Sequence, residues 1–150
     1  MKPLFVLIGS SFIGFLLIKI ISGENNLALA CRIGISAMLI FTAVAHFVFT
    51  PGMMMMIPDF IPYKKTLVYL TGFFEMAGAI GLQLEFSRLV TAWLLIAMFV
   101  LLLPANIHAA ARHIDYQKAN YLGTGLNYLW FRVPLQMVFI LWIYLSSIHY

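Results

Sequence analysis

The chain has 150 residues, of which 63% are hydrophobic and only 9% charged, with a mean hydropathy of +0.98. This leaves too little polar surface for a water-soluble globule and places the chain in a lipid bilayer. The formal charge of +4 does not make a nucleic-acid face, because the nine basic residues are scattered at the ends of apolar runs, where membrane-edge anchors sit. The single cysteine, Cys31, excludes an internal disulfide and a CxxC redox pair.

Crossing about 30 Å of hydrocarbon takes roughly 20 mainly apolar residues, and five segments are read as spans. The first, Pro3 to Ile21, follows Lys2 as a signal peptide would, but it is too long for a signal core and lacks an A-x-A cleavage pattern, so a retained helix is expected. The second runs from Leu27 to Phe49 and carries His46 near its end. After it comes TPGMMMMIPDFIPYKK, where Pro58 and Pro62 prevent a continuous helix, so that the backbone must meet water, headgroups or a protein-lined cavity. The run Met53 to Met56 is expected in this loop, as a flexible apolar plug rather than a set of copper ligands.

The third span, Thr66 to Gln83, holds Glu75 eleven residues beyond Lys64, about 16 Å along a helix and near the bilayer midplane. An ionisable group there is costly if it faces lipid, so Glu75 is expected to face a partner, line a cavity or carry a proton. Gly72, Glu75, Ala79 and Leu82 fall on one stripe whose small residues let another helix come close. The fourth span, Leu89 to His108, ends in LLLPANIHAA, where Pro104 frees a carbonyl that Asn106 is placed to serve. Helix formers in the first part of the connection Ala109 to Asn127 then predict a helix that extends out of the fourth span or lies at the interface, with Asp115 and Lys118 paired three apart and a stop at Gly123 and Gly125. In the fifth span, Tyr128 to Ile148, Arg132 and Gln136 project from one face on either side of Pro134, and Arg132 is the expected partner of Glu75.

Lys2, Lys64, Lys65, Arg112, Lys118 and Arg132 fall on one side, against Lys19, Arg32 and Arg88 on the other. The positive-inside rule then predicts a cytoplasmic N-terminus and an external C-terminus. His46, Glu75, Asn106, His108, Arg132 and Gln136 all lie in the inner half and suggest a polar pocket opening inward, with no second polar cluster in the outer half. A metal or haem is not expected: His108 and His113, five apart, point about 140° from each other on a helix. There is also no HExxH, glycine-rich phosphate loop or nucleophile elbow.

The order AHFVF, P-x(6)-PDFIP, VYLTGFFEMAGAIGL, LLLPANIHAA and WFRVPLQ, spread from Arg32 to about Trp142, resembles the DoxX family of small bacterial membrane proteins. The resemblance implies a four-helix transmembrane bundle over 27–150, to which 1–26 add an N-terminal helix, in one domain of the bacterial inner membrane. It also implies that His46, Pro58, Pro62, Tyr69, Gly72, Glu75, Pro104, Asn106, Arg132, Pro134 and Gln136 bind a ligand or shape its pocket. The expected function is that of an accessory membrane protein. It would bind a quinone or similar amphipathic molecule beside a membrane or cytoplasmic redox partner, and would not be an enzyme by itself. The alternative is a membrane chaperone or scaffold, monomeric or oligomeric, whose polar cluster is structural.

Overall fold

A computed structural model describes residues 2–149, with every side chain among them except that of Tyr128. Among the described residues six helices follow one another: α1 Lys2–Ser22, α2 Leu27–Val48, α3 Thr50–Met56, α4 Lys64–Gly81, α5 Arg88–Ala111 and α6 Asn127–Tyr144. A π-helical turn, Leu145–His149, continues α6. Four segments are long and apolar enough to cross a membrane: α1, α2, α5 and the stretch Leu129–His149. The 18-residue α4, which contains Lys64, Lys65 and Glu75, forms the expected helix but is not among these four.

Successive long helices run antiparallel, with Arg32 near the start of α2 bonded to Gln83 just past α4, His46 near the end of α2 beside Glu75, and Gly78 and Gly81 of α4 against Leu95 and Thr91 of α5. Ser11 of α1 meets Gly34 of α2, and Gly14 meets Ile33 and Ala30. A Cβ at Gly34 would stand 1.8 Å from Ser11 Oγ and 2.8 Å from the Leu7 carbonyl, so only glycine permits this approach. Helix α2 is the hub of the fold, touching α1, α3, α4, α6 and the π-helical turn. Leu7, Ile35, Met38, Leu39, Ala79, Leu82, Leu95, Phe139 and Ile143 close the core. The outer faces stay apolar, with Ile20, Phe86 and Leu101 more than three-quarters exposed, as suits helices solvated by lipid tails.

Two connections differ from expectation. The methionine run lies not in a loop but within α3, a helix begun by Thr50 and Pro51, where proline's fixed φ suits the first turn. It ends at Ile57, which is extended because Pro58 follows. The stretch 112–126 is not a helical extension of α5 but a folded loop with an isolated bridge between Asp115 and Asn120. Asp115 Oδ1 accepts from the amides of Gln117 at 3.0 Å and Lys118 at 3.3 Å. The side chain read as a helical ion-pair partner therefore competes for backbone donors and builds a turn instead. His113 and Ala119, both with positive φ, complete the reversal.

Candidate functional site

The six polar residues expected in one pocket fall into separate groups. His46 and Glu75 meet where α2 packs on α4, with Nε2 and Oε1 3.6 Å apart and Glu75 only 3% exposed. Gly72 makes the meeting possible, since a Cβ there would sit 2.8 Å from His46 Cβ. His46 Nδ1 lies 3.1 Å from both the Val68 carbonyl and Thr71 Oγ1. A carbonyl only accepts, so the network assigns a proton to Nδ1 and turns Nε2 towards the carboxylate.

Arg132 is the residue expected to pair with Glu75. Among the described residues the ion pair at Glu75 is made by His46, whereas Glu75 Oε2 is buried without a hydrogen-bond partner. Arg132 is half-buried on α6.

Asn106 and Gln136 form a second buried pair, joining α5 to α6: Asn106 Nδ2 donates to Gln136 Oε1 at 3.2 Å. Gln136 Nε2 in turn donates to the Phe99 carbonyl. The side chain that reaches the α5 backbone near Pro104 is thus Gln136 from the neighbouring helix, one residue before the carbonyl that the proline leaves open, and not Asn106. Pro104 and Pro134 themselves are exposed.

His108 belongs to a third group. Its Nδ1 lies 3.0 Å from the Met56 carbonyl and so ties α5 to the end of α3. It lines a cavity of about 630 Å³ bounded by the end of α2, by α3, by the start of α4 and by the end of α5. Among the other expected residues only Tyr69 lines it. Its ring stacks on Phe47 with centroids 5.5 Å apart, and the Lys65 ammonium lies 5.7 Å from the Tyr69 centroid. His46 and Val68 are the chain neighbours of Phe47 and Tyr69, and neither they nor Glu75 line the cavity. Pro58 and Pro62 shape the segment between α3 and α4 without lining the cavity.

Sequence reasoning missed the cavity's charged rim. Asp59 Oδ1 lies 2.8 Å from Lys64 Nζ, and Oδ2 lies 3.8 Å from Arg112 Nη2, so one carboxylate clasps the start of α4 and the end of α5. The hydrogen bond and the charge of Lys64 hold the Asp59 carboxyl below its ordinary value against an opposing effect of burial, and Arg112 and His108 lower it to a lesser degree. The sequence presents Lys64, Lys65 and Arg112 as membrane anchors, and only Lys64 and Lys65 stand beside IPDFIP in the chain. A polar cluster absent from the sequence reading also joins α2 to the end of α4 at the opposite end of the bundle. There Gln83 Nε2 donates to the Arg32 carbonyl at 3.0 Å and to Ser36 Oγ at 2.8 Å. Ser36 Oγ donates to the Ala79 carbonyl at 2.8 Å.

Residues 35–147 match the model of a family described as Domain of unknown function (DUF8561), which leaves α1 outside the matched region. No curated protein and no solved structure matches the chain.

Proposed function

We propose a function for a chain that belongs to the DUF8561 family: it is an accessory integral membrane protein that binds an amphipathic small molecule, a quinone or similar, in the cavity between α3, α4 and α5. It serves a membrane redox system in which a membrane or cytoplasmic partner supplies the electrons, and it is not an enzyme alone. In this reading it is a DoxX-like protein of the bacterial inner membrane with its N-terminus inside and its C-terminus outside. Helix α4 is then a fifth span. Lys64 and Lys65 stand at its end, where basic anchors belong, and Glu75 is turned away from lipid against His46.

The observation that carries the reading is the cavity itself. Its volume of about 630 Å³ lies in the range of small-molecule sites, and it combines an apolar wall of Phe47, Met54 and Met55 with polar groups at the rim. A quinone ring would lie against the Phe47–Tyr69 stack, with its carbonyl oxygens taking hydrogen bonds from Lys64 or a tyrosine hydroxyl. The test is a thermal melt of the purified protein with decyl-benzoquinone and with short-chain lipids. The melting temperature is expected to rise in the wild type and to stay unchanged in Met55→Trp, which fills the cavity. A wild type that responds to no amphiphile contradicts the proposal.

The scaffold alternative has one observation of its own. The His46–Glu75 and Asn106–Gln136 pairs bridge helices and do not line the cavity, as polar groups that pin a bundle would be placed.

A further inference from the structure

We propose that the occupant of the cavity is an anion, an amphiphile with a phosphate-type head group gripped by Lys64 and Arg112 in the place that Asp59 now fills. This rests on the cavity being an amphiphile site and names the chemistry of its ligand.

The charges are the first ground. Three permanent cations, Lys64, Lys65 and Arg112, line the cavity against a single carboxylate, Asp59. A neutral ring ligand would leave that excess unanswered, whereas an anionic head balances it, as basic pockets at membrane faces do for lipid phosphates. The second ground is the geometry of Asp59. Its two oxygens each take one cation, Lys64 at 2.8 Å and Arg112 at 3.8 Å, although its side chain is 77% exposed. The cations are therefore already spaced to share one small oxyanion, and the anion that holds them there lies on the solvent side, where an incoming phosphate can displace it. Removal of its clasp frees both donors at once. The third ground is the wall behind the cations. Phe47, Met54 and Met55 give the first carbons of a tail an apolar path from the charged rim inward.

A head group of this kind has two sources, a membrane lipid or free phosphate, and the apolar wall favours the lipid. His108 lines the same cavity with Nδ1 committed to the Met56 carbonyl, so any contact it makes with the head group falls to Nε2.

The experiment titrates full-length protein in neutral detergent with dioctanoyl phosphatidic acid, dioctanoyl phosphatidylcholine, inorganic phosphate and decyl-benzoquinone, with binding read by intrinsic tryptophan fluorescence. The phosphatidic acid is expected to bind at least about tenfold more tightly than the phosphatidylcholine, and Lys64→Gln with Arg112→Gln to remove about a further tenfold, the scale of a lost charge-assisted hydrogen bond. Asp59→Asn is the discriminating variant. It should tighten phosphatidic acid binding several-fold, because it removes the resident competitor, while a ligand held by Asp59 would be weakened. Melting curves establish that each variant is folded. Inorganic phosphate binding as tightly as the lipid overturns the amphiphile assignment. Quinone binding without preference for the anionic lipid, unchanged by Asp59→Asn, overturns the anion proposal but leaves the amphiphile site standing. Absence of binding by all four probes overturns both.

Discussion

At the scale of single residues, the buried carboxylate is the most exacting feature. Glu75 and His46 face each other with Oε1 and Nε2 3.6 Å apart, while Nδ1 is already committed to Val68 and Thr71. Glu75→Gln places an amide N–H opposite Nε2 and is expected to unfold in detergent–SDS titrations almost as the wild type does. Glu75→Ala leaves His46 with a buried acceptor unanswered and should cost about 1–3 kcal/mol. Equal losses for the two variants would contradict the assignment. At Asp59, outside the spans, the sign is that of a depressed carboxyl. Its contribution is fully present above the ordinary value of 3.8 and is lost as pH falls through the lower folded value. The carboxyl carbon of Asp59, followed by NMR, should titrate below 3.8 in the wild type and move back up in Lys64→Gln; the same midpoint in both would show that Lys64 is not the cause. The sequence marked Glu75 correctly as a residue turned inward, because a lone acid in an apolar stripe carries its own signal. It offered Arg132 as the partner, whereas the ion pair at Glu75 among the described residues is with His46, a choice that packing makes. Gly72 decides it by letting α2 lie against α4 at His46.

At the scale of elements, hydropathy was enough to place the five long helices within a few residues, since each is a run of apolar residues ended by charge, glycine or proline. The connections were less legible. The Met53–Met56 run carries no period that tells a short helix from an apolar loop, and Asp115 supports either a helical pair or a turn until its neighbours' amides are placed. The junction of α1 with α2 offers the clearest test at this level. Because a Cβ at Gly34 would collide with Ser11 and with the Leu7 carbonyl, Gly34→Leu must push α1 away. It is expected to lower stability by about 1–3 kcal/mol and to expose the α1–α2 connection to protease. Since α1 lies outside the family match, cavity binding should survive in that variant. Loss of binding together with α1 docking would mean that the two parts are not separable.

At the scale of the whole molecule, the parts divide between structure and site. Buried polar pairs join α2 to α4 and α5 to α6, while the charged rim and the cavity gather at one end, where α3 and the 112–126 loop cover the bundle. The polar residues expected from the sequence to form one pocket are divided among separate contacts, His46 with Glu75, Asn106 with Gln136 and His108 with the Met56 carbonyl. Residues far apart in sequence, such as Asp59 and Arg112, meet where α3 packs beside α5. The central claim is that this covered end holds an amphiphile, and native mass spectrometry of protein released gently from its own membrane tests it most directly. The wild type is expected to retain a bound small amphiphile that Met55→Trp lacks; identical spectra without an adduct, or an adduct equally present in both, would contradict it.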